Sequence, residues 1–237
     1  TNVALAGATV VVFTWIYQFR AYDISMSSPW AWAAIVVLDD LAYYWFHRIS
    51  HECRFWWAAH VNHHSSQEYN LSTAIRQPWT GVLVGTWAPW FVLLLIGFPP
   101  EMIFLQSGLN LLYQFWIHTR AVGTMGRLTE WVMNTPSHHR VHHGVNPKYQ
   151  DKNYAGVFIV FDRLFGTFVQ EEDEPVYGIT KPLKSWNPLW ANVHVFVQIA
   201  RDAWRAERWM DKLRIGVGRP GWRPPERGAI ERPRGVS

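Results

Sequence analysis

Charged residues are missing from four long stretches of this chain, and that spacing constrains the fold more than any other feature. No charge precedes Arg20, so Asn2 to Phe19 is uninterrupted and rich in Val and Ala. Ser25 to Leu38 forms a second stretch, extended beyond the pair Asp39-Asp40 by Leu41 to Phe46. No charge lies between Arg76 and Glu101, and none between Glu101 and Arg120. A bilayer asks for about 20 apolar residues per helix, and all four stretches approach that length. Trp15, Trp30, Trp32, Trp79, Trp87 and Trp116 fall at or near their ends. An interfacial aromatic belt has that distribution, which favours membrane helices over the buried helices of a soluble protein. The mean hydropathy of −0.10 averages these stretches against polar segments between them.

The expected fold is therefore all-α and integral to a membrane, with four transmembrane helices at about residues 3–19, 27–46, 79–98 and 101–118. The first stretch lacks a basic leader and a small-residue cleavage signature, so it reads as a membrane helix rather than a signal peptide. Phe98-Pro99-Pro100-Glu101 is a short break that makes the third and fourth helices a hairpin. Residues 47–78 and everything after 118 then share one face. That face carries Arg48, Arg54, Arg76, Arg120, Arg127, Arg140, Lys148 and Lys152, against Glu101 alone at the hairpin tip. By the positive-inside rule it is cytosolic.

The cap comprises about 47–78 and 119–210, giving one membrane-embedded domain over 1–210. Asp162 and Arg163 interrupt Ala155–Val169, which reads as an interfacial helix or short strands over the cap. Pro188 to Leu213 mixes apolar residues with Arg201, Asp202, Arg205 and Glu207, as an amphipathic surface helix would. The tail 211–237 holds seven Lys/Arg against three acids and reads as basic and flexible. A single cysteine, Cys53, excludes an internal disulfide and any site built on several thiolates. No basic face interleaved with stacking aromatics supports nucleic-acid binding.

The 11 histidines are not scattered. His47-Arg-Ile-Ser-His51 is HxxxH, His60-Val-Asn-His63-His64 is HxxHH, and His139-Arg-Val-His142-His143 repeats it. Residues three and four apart share a helix face, so each cluster aims two or three imidazoles at one point. Neutral imidazole is a ligand for iron, zinc and copper. Eight imidazoles exceed the demand of one tetrahedral site and suit a dimetal centre within a helical cap. Iron is expected for oxygen chemistry, and a preparation can carry zinc in its place. No HExxH motif points to a zinc hydrolase, and ionisable residues gathered on one face argue against a transport pathway through the membrane.

The stretches Asp40–Glu52, His60–Ser66 and Asn134–Gly144 resemble the fatty acid hydroxylase/sterol desaturase superfamily. Glu68–Gln77, Leu112–Thr119, Asp151–Val157 and Phe161–Phe168 are similar to its alkylglycerol monooxygenase branch, and the likeness runs over about residues 30–195. The resemblance implies an integral-membrane, O2-dependent di-iron monooxygenase. Its ligands would be His47, His51, His60, His63, His64, His139, His142 and His143. Related hydroxylases carry a further HxxxH at the end of the fourth helix. Here it reads Gln114-Phe-Trp-Ile-His118, making His118 a ninth ligand and Gln114 a residue that lines the site or holds a water. The branch implies hydroxylation of the carbon next to the ether oxygen of an alkylglycerol, releasing a fatty aldehyde. It also implies an external electron donor, tetrahydrobiopterin or a donor protein. Sterols, fatty acyl chains and carotenoids are the alternative substrates within the superfamily, and a non-catalytic metal-binding or transport protein is the alternative outside it.

Metal-bound imidazoles donate their second nitrogen to a carboxylate or carbonyl. Asp40, seven residues before His47 on the same helix face, is the first candidate for that role. Asp39, Glu52, Asp162 and Asn153 follow. His138 lies outside the HxxHH spacing, and His194 reads as structural or pocket-lining rather than a ligand.

Overall fold

The computed structural model describes residues 2–224 and places eleven α-helices among them. They are α1 (Asn2–Tyr17), α2 (Pro29–Glu52), α3 (Arg54–His64), α4 (Leu71–Ala74), α5 (Phe91–Ile96), α6 (Pro100–Ile117), α7 (Arg127–Val132), α8 (Pro136–His142), α9 (Val160–Leu164), α10 (Pro188–Arg205) and α11 (Trp209–Val217). Among the described residues there is no strand, and the only bridge pairs Gly144 with Tyr177.

The apolar stretches fold as helices where nothing breaks them. Ser28 caps α2 by accepting from the Ala31 amide at 3.3 Å, with Pro29 preset for the first turn. From there α2 runs 24 residues and carries Asp39, Asp40 and both HxxxH histidines on one rigid rod. Ile35, Leu94, Met102 and Ile103 pack with Phe13 and Phe98 into one core. Each such burial contributes about 2 kcal/mol. The two carboxylates inside this apolar layer are fully hydrogen-bonded. Trp90 Nε1 donates to Asp39 at 2.7 Å, and Asn110 Nδ2 bridges Asp39 and Asp40 at 3.2 and 3.0 Å.

The third expected span is a correction. Residues 79–98 contain 3-10 turns at Val82–Val84 and Ala88–Trp90, then a helix of only six residues. Gly85 turns left-handed at φ 73°, and Pro89 removes a helix donor. Six residues rise about 9 Å, far short of a bilayer. Among the described residues no helix is both long and apolar enough to cross a membrane. The short break before α6 is as read, with Pro100 at its first position.

The cap differs from expectation in two places. The amphipathic segment is two helices, α10 and α11, broken at 206–208. Val195 of α10 packs on Ala58 and Val61 of α3. Residues 211–217 of the expected flexible tail belong to α11, where Ile215 is buried and the Gly218 carbonyl accepts from the Arg54 amide at 2.9 Å. The rest of that tail beyond 224 lies outside the described residues.

Candidate metal centre

Four segments of the chain meet in the protein interior. α2 supplies His47 and His51, α3 supplies His60, His63 and His64, the end of α6 supplies His118, and α8 with its C-cap supplies His139, His142 and His143. All nine are at most 8% exposed. They sort into two groups, His47, His51, His60, His64 and His142 in one and His63, His118, His139 and His143 in the other. Within each group the donor nitrogens lie within 4.8 Å of one another. The two groups touch, with His64 stacked on His143 at 4.4 Å.

Each HxxHH motif is split between the groups. In α3 the i,i+4 pair His60 and His64 serves the five-histidine group and His63 the other. In α8 the i,i+4 pair His139 and His143 serves the four-histidine group and His142 crosses over. The arrangement is thus pseudo-symmetric. The α2 HxxxH completes the first group, and Gln114-x-x-x-His118 occupies the matching place in the second. Gln114 stands where a fifth imidazole would complete the match. Its amide donates instead to Asn110 Oδ1 at 2.7 Å.

Hydrogen bonding fixes the ring tautomers. His47 Nδ1 donates to the Tyr154 carbonyl at 2.7 Å, His142 Nδ1 to the Lys152 carbonyl at 3.0 Å, and His118 Nδ1 to the Gln114 carbonyl at 2.7 Å. A carbonyl only accepts, so each Nε2 is left with its lone pair. Those Nε2 atoms face other imidazole nitrogens: His47 to His60 at 3.1 Å, His142 to His64 at 3.1 Å, His118 to His139 at 2.9 Å and to His63 at 3.3 Å. Metal–imidazole bonds of about 2.1 Å put neighbouring ligand nitrogens roughly 3.0–3.4 Å apart. The nitrogen spacings therefore fit rings converging on a shared cation. Among the described residues, His51 Nε2, His63 Nδ1, His139 Nδ1 and His143 Nε2 are buried with no hydrogen-bond partner, a state that a bound cation would relieve for the nitrogens facing it.

Burial, reinforced by neighbouring imidazoles, lowers the pKa of all eight clustered histidines outside α6, His47 to about 4. The rings are neutral at pH 7, the form that binds metal. A depressed folded pKa stabilises the fold above the unfolded value of about 6.5, and the contribution is lost as pH falls toward 4. For a fully buried ring such as His47 it amounts to roughly 3 kcal/mol. The melting temperature of metal-free protein is expected to be level above pH 7 and to drop steeply from pH 6 to 5. A midpoint unchanged to pH 5 contradicts the burial of the cluster.

The carboxylate candidates sit elsewhere. Asp40 does not support His47; it accepts from the amides of Val157 and Phe158 at 2.8 and 2.7 Å. Glu52 lies at the end of α2 facing Arg48 at 3.2 Å and Arg219 at 3.6 Å. Asp162 is one layer back, accepting from the amides of Tyr154 and Ala155 at 2.8 Å each and from Thr167 at 2.6 Å. Asp40 and Asp162 thus grip the loop 152–158 whose carbonyls hold His47 and His142. Asp151 and Asn153 flank Lys152 with φ of 57° and 55°, the left-handed turns that present its carbonyl. Gly156 is required there, because a Cβ would lie 2.6 Å from Asn110 Oδ1 and 2.7 Å from Asp40 Oδ1. Carbonyl partners leave no side-chain signature, so the sequence reading missed Lys152 and Tyr154.

His138 belongs to neither group. It is the N3 residue of a capping box with Thr135, and its Nε2 meets Glu130 at 2.8 Å. His194 bonds the Trp190 and Ala191 carbonyls at 3.2 Å each and lines a polar cavity beside His51 and His64. A larger cavity, about 880 Å³, reaches His60, His63, His118 and Gln114 from the opposite side. Its far walls are Phe13, Trp87, Ile103 and Phe104, and the broken segment after Trp79 closes it with Val82 and Trp87.

The sequence model of the fatty acid hydroxylase family matches residues 32–167, a span that includes all nine clustered histidines. The chain belongs to that family. It is 41% identical over 224 residues to alkylglycerol monooxygenase of Xenopus tropicalis, the alignment covering 94% of this chain and 50% of that protein. It is 41% identical over 216 residues to that of Homo sapiens, covering 91% and 48%. For the Danio rerio protein the identity is 42% over 207 residues, covering 87% and 46%. The chain therefore spans about half the length of the curated relatives it matches. No solved structure matches it.

Proposed function

We propose that this chain forms the metal-bearing part of a membrane-embedded monooxygenase that oxidises an ether lipid. One observation carries the reading: nine buried imidazoles form two touching groups, and His60 of one group with His63 and His118 of the other line an apolar cavity of about 880 Å³. The names of the relatives at 41–42% identity point to alkylglycerols as the substrate class. A pair of iron ions bound there would supply the reduction of O2 and the oxidising power for C–H attack. His47, His51, His60, His64 and His142 would hold one ion, and His63, His118, His139 and His143 the other. Gln114, in the place of a fifth imidazole, leaves the second group the more open one on the side where the cavity arrives.

The protein's own part is positioning and exclusion of water. Phe13, Trp87 and Phe104 accept an alkyl chain and keep the reacting carbon dry. One oxygen atom of O2 enters the C–H bond next to the ether oxygen and the other leaves as water. Two electrons and two protons come from an external donor, either a reduced pterin such as tetrahydrobiopterin or an electron-donor protein. The hemiacetal formed collapses to a fatty aldehyde and a glycerol derivative. The apolar surfaces of α1, α2, α5 and α6 would seat in the membrane, with the basic cap on its cytosolic side.

Anaerobic loading with iron, then addition of O2, an alkylglycerol and reduced pterin, is expected to release aldehyde only when iron and O2 are both present. Full activity with zinc in the absence of O2 overturns the reading.

A further inference from the structure

The stretch Glu68–Gln77 has no part in holding metal, yet it wraps the four-histidine group. Tyr69 lies tilted against His143 at 5.1 Å and stacks on His118 at 5.8 Å. The backbone of Thr73 and Arg76 borders the His63 ring. Asn70 caps α4 and, with Thr73, closes a capping box that sets the direction of the chain into Arg76.

Behind His63 the same stretch walls a polar pocket of about 410 Å³ with Asn62, Ser72, Arg76, Gln77 and Trp79. Ile75 and Gln77 line both this pocket and the apolar cavity, so the two adjoin. The pocket presents unused donors. Asn62 is 6% exposed, and its amide nitrogen makes no hydrogen bond among the described residues. Arg76 is half-buried and reaches Asn62 Oδ1 only through Nε, at 3.5 Å. Its two terminal nitrogens have no partner among the described residues, whereas the buried guanidiniums of Arg54 and Arg140 are each matched by a carboxylate. A guanidinium fork with unused N–H groups is the geometry that receives hydroxyl or phosphate oxygens by charge-assisted hydrogen bonds.

We propose that this pocket binds the oxygen-rich head of the lipid, with hydroxyl or phosphate oxygens accepting from Arg76 and Asn62 while the alkyl chain lies in the apolar cavity. The proposal rests on the lipid monooxygenase reading and adds where the substrate is anchored. A head held here leaves the first carbon of the chain at the junction walled by Ile75 and Gln77, beside His63. That carbon is the one next to the ether oxygen, so head recognition also selects the bond that is attacked.

The test uses the iron-loaded chain in detergent and three probes: a 1-O-alkylglycerol, its 3-phosphate, and a plain hydrocarbon of the same chain length. Binding is read by tryptophan emission, because Trp79 and Trp186 line the pocket. Arg76→Gln is expected to weaken a headed probe by about tenfold or more, as loss of charge-assisted hydrogen bonds does, and to leave the hydrocarbon and the iron content unchanged. Weakening of both headed probes shows a pocket that reads hydroxyl oxygens; weakening of the phosphate alone shows one that reads the anion. Arg76→Lys is expected to recover part of the phosphate affinity and guards against a folding defect. Equal binding of all three probes by the wild-type and Arg76→Gln proteins overturns the proposal. Wild-type binding without aldehyde release instead overturns the reaction and leaves the head pocket standing.

Discussion

His63→Ala is expected to lower bound metal from two equivalents per chain to about one, and to reduce aldehyde release by more than about 100-fold. The magnitude follows from ligand number. Loss of a residue that merely orients a ligand costs 10–100-fold in metal affinity or activity, and loss of a ligand costs more. The four-histidine group falls to three donors and already has Gln114 where its pseudo-symmetric partner has an imidazole. His51→Ala leaves four donors in the other group and is expected to retain both ions more weakly. His138→Ala keeps two equivalents, because His138 binds Glu130 and Thr135 rather than the cluster. Metal analysis of the three purified variants checks this ordering. Two equivalents retained in His63→Ala would show that His63, His118, His139 and His143 do not form a site.

The histidines were legible in the sequence because helix periodicity converts spacing into direction. HxxxH and HxxHH each put rings on one face, which marked eight of them, and the family resemblance added His118 as the ninth. Which ring joins which group was not legible, since it depends on how α3 and α8 cross. Nor was the layer behind the rings. Asp40 shares a face with His47, but seven helical residues separate them by about 10 Å along the axis, too far for a carboxylate to reach the ring. The rings take loop carbonyls instead, and backbone groups are the same at every position of a sequence. The fold shows the same division. The apolar stretches at residues 2–19 and 27–46 became helices, whereas 79–98 has the same composition and folds differently. There Gly81, Gly85 and Pro89 outweigh hydropathy. That broken segment is what leaves room for the apolar cavity.

The loop 152–158 concentrates the support of one group alone, so Asp162→Asn is expected to act selectively. Asp162 accepts from two backbone amides and the Thr167 hydroxyl. An asparagine keeps the volume but turns an NH2 toward donors, leaving at least one buried amide without an acceptor, at a cost of about 1–3 kcal/mol. The strain falls on Tyr154, whose carbonyl holds His47, and on neighbouring Lys152, whose carbonyl holds His142. Both rings belong to the five-histidine group. His118 takes its carbonyl from Gln114 within α6 and is untouched by the loop. One ion is therefore expected to weaken by 10–100-fold while the other is retained. Chelator titration should resolve two release steps in the variant, with the easier one easier still in His47→Ala protein, whose five-histidine group is cut to four donors. A general folding defect would instead release both ions together. Equal weakening of the two sites would mean that the loop acts through stability rather than by orienting His47 and His142.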